Sequence, residues 1–407
     1  MATHIVVGAG QAGAHAAIAM RRAGFGGRIV VVGEESALPY ERPPLSKGFI
    51  ASEEQVPLVH FFEPAVFAAE SIEVITGVRV EEIDLGARKV ALSFGGGIQF
   101  DKLVLATGSR PRRLSVAGGE RAHTLRTYGD AVRLREAMRA GMRVVCIGAG
   151  VIGLEVASSA TARGCAVTVV DVAESALSRS LDPRLAARIE HLHRRQGVEF
   201  SFSSSVAAID ASGVALHDGR TLPADLVIAG VGVERNIELA VRAGLATHRG
   251  ILVDPSGRTQ DPEIFAAGEV AEFHSVRLGA PTVLESWRHA QDHGALVGRV
   301  AAGAVEEYRE VPWFWSDQHG VNLQFAGDTS GRGSVKKVDR GSQDSDSFAT
   351  FFVSSDEQIV GALCYNAPKE AAAALRMIRG GHKVPHAALS DHSIPIQRLV
   401  AQVSRAA

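Results

Sequence analysis

The feature that most constrains this chain is a strand–glycine loop–helix pattern that occurs twice. Ile5-Val6-Val7 runs into Gly8-Ala9-Gly10-Gln11-Ala12-Gly13 and an alanine-rich stretch. Val144-Val145-Cys146-Ile147 later runs into Gly148-Ala149-Gly150-Val151-Ile152-Gly153 and a second one. Each predicted helix gives way to a β-branched strand, Arg28 to Val32 and Ala166 to Val170. In G-x-G-x-x-G the first glycine makes a tight turn, the second lets backbone approach a pyrophosphate, and the third lets helix and strand pack closely. The free N–H groups of the helix start then hold the anion. An acid is expected about 20 residues on to bind a ribose, and Glu34 and Asp171 stand near that position. One such motif is weak evidence, because glycines also relieve crowding at strand–helix turns. Two in full context predict two dinucleotide sites, with contacts at Gly8, Gly10, Gly13 and Glu34, and at Gly148, Gly150, Val151, Ile152, Gly153 and Asp171.

Two dinucleotides in one chain suggest a flavin paired with a nicotinamide, between which a hydride can pass. A carboxylate at Asp171 suits a ribose 2′-hydroxyl and repels a 2′-phosphate, which favours NADH over NADPH. Arg179 reads either as a partner of the adenine or pyrophosphate end or as a solvated surface charge.

The repeats set the organisation. The first region reaches residue 111, its closing strand Lys102–Ala106 ending in Thr107-Gly108-Ser109. The second runs from 112 to 243, its strand Asp225–Ala229 ending in Gly230-Val231-Gly232. Residues 244–309 contain two strand-like runs and a helix-like run from Glu285 to Ala301. From 310 to 407, aromatic and β-branched runs alternate with turns, as in an α+β domain, and Ser342–Ser347 reads as a solvated loop tip. The expected class is α/β: two Rossmann-type domains plus a C-terminal α+β domain.

A formal net charge of −2 gives no basic excess to attract nucleic acid. The longest apolar run, Val144 to Leu154, falls short of the roughly 20 residues that span a bilayer. His4 to Val7 read directly as a strand rather than a leader, so a cytoplasmic location is expected. Cys146, Cys165 and Cys364 form no C-x-x-C pair. The histidines show no ligand spacing, no metal site is expected, and His191 and His193 read as surface residues on different helix faces.

Arg42-Pro43-Pro44 and Pro312 to Gln318 are far more specific than the glycine motifs, and they stand among a wider set of matching stretches. The set comprises Tyr40-Glu41-Arg42-Pro43-Pro44-Leu45-Ser46-Lys47, Thr107-Gly108-Ser109-Arg110, Gly150 to Glu155, Gly230 to Val233, Ile264 to Val270, Leu284-Glu285-Ser286-Trp287 and Val311 to Gln318. Together they resemble the FAD-dependent ferredoxin reductases of bacterial cytochrome P450 and aromatic-ring dioxygenase systems, across essentially the whole chain. The resemblance implies a glutathione-reductase-like fold. Its discontinuous FAD domain would comprise 1–111 and 244–309, its NAD domain 112–243 and its interface domain 310–407. It implies tightly bound FAD, NADH as co-substrate and a 2Fe-2S ferredoxin as acceptor: an NADH:ferredoxin oxidoreductase. Oligomeric state stays open between monomer and homodimer.

The resemblance also assigns residues. Arg42 and Lys47 would lie on the FAD, with Lys47 near the flavin's reactive edge, where a cation stabilises developing negative charge. Glu155 would pair with this lysine and orient the nicotinamide; otherwise it is only an acid at the start of a helix. Thr107, Gly108 and Gly268-Glu269 would complete the FAD site and Gly232 the NAD site. The family usually has Gly-Asp where this chain has Gly268-Glu269, and proline where Arg235 precedes Asn236. Trp287 and Trp315 are expected near the isoalloxazine, with Asp317 and Gln318 supporting Trp315, and Trp313 in the core. Arg332, Lys336 and Lys337 are candidates for steering an acidic ferredoxin, or a plain solvated face.

Disulfide reductases of this fold need a cysteine pair beside the flavin, and no cysteine lies between Glu34 and Gly48. An NADH oxidase needs one cysteine there. An NADH-sensing flavoprotein of the apoptosis-inducing-factor type is the third alternative, against which the compact C-terminal domain argues.

Overall fold

The computed structural model describes residues 1–54, 56–330 and 335–406, with side chains up to residue 402. It divides into two compact units, Met1–Glu41, Leu58–Arg110 and Glu234–Trp313 in one, and Arg42–Pro57, Pro111–Val233 and Phe314–Ala407 in the other. The architecture is α/β, with two parallel-sheet cores of Rossmann type and a C-terminal antiparallel sheet.

In the first unit five strands run parallel in the order Ile264–Ala266, Lys102–Leu105, Thr3–Val7, Arg28–Val32 and Ile72–Ile75. Val7 is level with both Val32 and Leu105, so the strands end at one edge where the glycine loop begins. Ile5 to Val7, Ile29 to Val32 and Leu103 to Leu105 form continuous buried apolar runs, as expected where both faces of a parallel sheet are covered. One face packs Val6, Val31 and Val104 against helix residues such as Ala16, Met20 and Val297; the other packs Ile5, Val30 and Leu103 with Val90 and Ile251. Helices Gln11–Arg22 and Trp287–Ala301 approach until backbone meets backbone. A Cβ on Gly294 would lie 2.3 Å from the Ala12 carbonyl oxygen, and one on Gly298 2.1 Å from that of Ala16.

In the second unit four strands follow the order Glu199–Ser201, Ala166–Val170, Arg143–Ile147 and Leu226–Ala229, all parallel. Ile147 is level with both Val170 and Ala229, so the second sheet also ends at its glycine loop. The C-terminal sheet orders its strands Trp313–Gln318, Val321–Gly327, Ile359–Tyr365, Phe348–Ser354 and Val335–Arg340, with helix Pro368–Gly380 packed on it. Arg188, on helix Pro183–Arg195, donates to the carbonyls of Gln343 and Ser345, so the loop tip at 342–347 is fastened rather than merely solvated.

Candidate active site

The two glycine loops are built alike. Gly8 has φ +111° and Gly148 φ +108°, conformations that favour glycine. A Cβ on Gly8 would strike the Ala106 carbonyl oxygen at 2.2 Å, and one on Gly148 that of Gly230 at 2.5 Å. The third glycine of each motif lies on the first: a Cβ on Gly13 would be 1.8 Å from the Gly8 oxygen, and one on Gly153 1.9 Å from that of Gly148. At the middle positions, Gly10 and Gly150, a Cβ would meet nothing within 4 Å. The outer glycines are therefore required by the protein itself, and the middle ones face open space at a helix start.

The acids differ between the copies. Asp171 follows Val170 directly; its Oδ2 accepts the Ala149 N–H at 2.6 Å and its Oδ1 the Ala173 N–H at 2.8 Å. In the first copy Gly33 occupies the equivalent place, one residue beyond Val32, because a Cβ there would lie 2.5 Å from that of Ala9. Glu34 is displaced by one position, 63% exposed, and ion-paired with Arg79. Glu35, which sequence reasoning passed over, accepts the hydroxyl of Tyr40.

Elsewhere in the first unit, Thr107 and Asn236 are clasped to each other. Thr107 Oγ1 donates to the Asn236 carbonyl and Asn236 Nδ2 to that of Thr107, both at 2.8 Å, next to Gly108 at φ +65°. Gly268 has φ +77° and its N–H donates to His293 Nδ1 at 3.2 Å; Glu269 follows, half-buried. His289 Nδ1 lies 3.0 Å from the Tyr308 hydroxyl. Trp287 opens helix Trp287–Ala301, half-buried, after the Ser286 cap.

The second unit holds a buried ion pair. Lys47 ends the turn Pro43–Ser46, and its Nζ donates to Glu155 Oε2 at 2.8 Å and to the Pro43 carbonyl at 3.2 Å. Glu155 is 2% exposed and Lys47 20%. One helix face makes this possible. Residues four apart share a face, and on helix Val151–Ala162 and its cap these are Glu155, Ser159 and Arg163. Glu155 takes the side chains of Ser46 and Lys47. Ser159 Oγ donates to the Ser46 carbonyl at 2.8 Å, and Arg163 donates to the carbonyls of Ile50 and Ser52. Burying a carboxylate is strongly unfavourable unless it is paired and hydrogen-bonded. Here Oε2 takes Lys47 and Ser46, and Oε1 takes the Ser316 hydroxyl at 2.7 Å.

Ser316 lies on strand Trp313–Gln318, where successive side chains alternate faces. Trp315 and Asp317 share one face, and Trp315 Nε1 donates to Asp317 Oδ2 at 3.1 Å. Gln318 lies on the other, with Ser316, to whose Oγ its Nε2 donates at 2.9 Å. The expectation that Gln318 supports Trp315 is corrected by this alternation. Trp313 is half-buried rather than core. His193 is fully buried, not a surface residue, whereas His191 is exposed.

Arg42 donates to the Arg126 carbonyl at 3.0 Å, Arg179 is exposed, and Gly232 has φ +98° with open space before it. Lys336 is exposed; Lys337 is committed to Asp182 at 3.0 Å and lies over the Phe352 ring; Arg332 lies outside the described residues. The three cysteines are buried, and burial pushes the thiols of Cys146 and Cys364 up to about 12. Among the described residues no cluster fit for a metal occurs, and no helix is long and apolar enough to cross a membrane.

Residues 2–294 match the pyridine nucleotide-disulphide oxidoreductase family and residues 313–400 the reductase C-terminal family. The chain belongs to this reductase family. It is 38% identical, over 97% of itself and 97% of the relative, to the ferredoxin–NAD(+) reductase component of the p-cumate 2,3-dioxygenase system of Pseudomonas putida. It is 35% identical to putidaredoxin reductase of the same organism, over 98% of itself and 96% of that protein. The structure superposes on the reductase in a covalent putidaredoxin reductase–putidaredoxin complex with a TM-score of 0.94, at 34% identity and 99% coverage of both chains.

Proposed function

We propose that this chain is an FAD-containing NADH:ferredoxin oxidoreductase that serves a P450 or Rieske-type oxygenase from the cytoplasm. FAD, when bound, would supply the conversion between the two-electron donor NADH and a 2Fe-2S ferredoxin, which accepts one electron at a time. The residues fit that cofactor. Gly10 leaves open backbone at a helix start, where an anionic pyrophosphate is favoured. Both side-chain polar atoms of the adjacent Gln11 are buried with no protein partner, which calls for a polar group from a ligand.

The observation that carries the reading is the Lys47–Glu155 pair. It joins the Arg-Pro-Pro-Leu-Ser-Lys turn to the helix of the second glycine motif. Arg42 and Lys47 supply positive charge to the flavin. Glu155 holds Lys47 in place and orients the nicotinamide that Gly150, Val151, Ile152 and Gly153 admit. Asp171 receives the adenine ribose of NADH. Glu34 and Glu269 serve the FAD, and Trp287 and Trp315 wall its ring. Anaerobic titration of the yellow protein with NADH and with NADPH tests the reading, followed by reduction of cytochrome c through a panel of purified 2Fe-2S ferredoxins. Bleaching by NADH and ferredoxin-dependent turnover are expected. A flavin that NADH leaves unchanged overturns it.

A further inference from the structure

Behind Glu155 the second unit holds a run of polar side chains that the proposed function does not use. Ser316 Oγ donates to Glu155 Oε1 at 2.7 Å, and Gln318 Nε2 donates to Ser316 Oγ at 2.9 Å. His193 Nε2 lies 2.9 Å from Gln318 Oε1, and His319 Nε2 lies 3.1 Å from His193 Nδ1. Ser316, Gln318 and His193 are buried; His319 is half-buried and shares with Lys47 the wall of a cleft of about 330 Å³.

The chemistry of each group gives this run a single direction. Ser316 has one proton, and the buried carboxylate oxygen Oε1 needs a donor, so that proton goes to Glu155. Ser316 must then accept, which sets the Gln318 amide with its nitrogen toward Ser316 and its oxygen toward His193. An amide oxygen only accepts, so His193 carries its proton on Nε2 and leaves Nδ1 bare for the N–H of His319. Burial favours this neutral ring by pushing the His193 pKa down to about 4. Every donor thus points at Glu155. An amide in the middle does not pass protons onward, so the run orients and does not relay.

We infer that Gln318, His193 and His319 are positioning residues for Glu155. They commit the Ser316 proton to Oε1 and so hold Oε2 on Lys47. This rests on the reading that the Lys47–Glu155 pair serves reduction by NADH.

Two measurements on the holoenzyme test it. In protein labelled with 15N-histidine, the His193 ring is expected as the neutral Nε2–H tautomer; a protonated Nδ1 overturns the inference. Stopped-flow reduction by NADH is then compared among wild type, Glu155→Gln, Gln318→Met and Gln318→Glu. The glutamate keeps the glutamine's size but competes with Glu155 for the Ser316 proton, so it decides the matter if the methionine variant fails to fold. Both Gln318 variants are expected to lower the limiting rate about tenfold, with the NADH dissociation constant changed by less than about twofold. Wild-type rates in these variants beside a slow Glu155→Gln sink the inference and leave the proposed function standing. A wild-type rate in Glu155→Gln removes the role of the pair, and the inference with it.

Discussion

Lys47 and Glu155 meet at 2.8 Å although they stand 108 positions apart, and the Glu155 carboxylate is almost entirely shut from water. Breaking such a pair from one side leaves an uncompensated charge, whereas replacing both sides with apolar groups does not. Lys47→Met is therefore expected to destabilise the protein by about 3 kcal/mol. Lys47→Met with Glu155→Leu should be less destabilising than the single change. Denaturant midpoints of the three proteins measure this, and a double variant weaker than the single one contradicts it.

The middle and outer glycines are expected to separate binding from folding. Gly10→Ala adds a methyl that meets no protein atom. It should leave the melting temperature of the apoprotein unchanged while weakening FAD retention on gel filtration. Gly13→Ala forces the methyl against the Gly8 carbonyl and should lower both.

Asp171 closes its own loop through the Ala149 N–H, and under the proposed function its charge would disfavour the 2′-phosphate of NADPH. Asp171→Asn should lower kcat/KM for NADH about tenfold, roughly 1.4 kcal/mol, and narrow the preference over NADPH. Steady-state assays with both nucleotides decide this; an unchanged preference ratio counts against it.

Acid should unfold the protein through its buried imidazoles. Burial lowers His193 and His289 to about 4 from an ordinary 6.5. Below 6.5 the unfolded chain binds protons that the folded one refuses, so stability is full above that pH and is lost as pH falls toward about 4. Each ring contributes a slope of up to about 1.4 kcal/mol per pH unit. Unfolding midpoints in urea should fall from about pH 7.5 to about pH 5, a range that brackets the ordinary histidine value; His193→Gln should flatten part of the slope.

The three thiols should be silent. Cys146, Cys165 and Cys364 are buried, and burial raises the pKa of all three. Native protein should resist alkylation and keep its NADH-dependent turnover in iodoacetamide, with all three labelled only after denaturation. Loss of turnover on native alkylation would favour the cysteine-dependent oxidases.

Much of this was legible in the sequence because it is local. A G-x-G-x-x-G loop between a strand and a helix carries its own geometry, and Gly8 and Gly148 behave alike because their neighbours are alike. The fate of His193 was not legible. Its helix pattern gives only that it faces away from His191, and its partners, Gln318 and His319, come from a strand and the turn after it, far along the chain. Gln318 departs from its expected place for a simpler reason: strand alternation separates it from Trp315 and gives it to Ser316. The roles of Ser46, Ser159 and Ser316 carry no sequence signal, because a serine says nothing until its acceptor is in place, and the acceptors are Glu155 and the Ser46 carbonyl.

The chain passes back and forth between its two units rather than finishing one before starting the other. The first parallel sheet lacks its edge strand until Ile264–Ala266 has been made, long after Thr3–Val7. A ribosome releasing this protein must therefore hold an unfinished first sheet, with an open edge, while the whole second glycine motif is synthesised. Nascent chains halted before residue 264 should thus be open to protease at the first motif, and chaperone demand should be concentrated in that interval of translation.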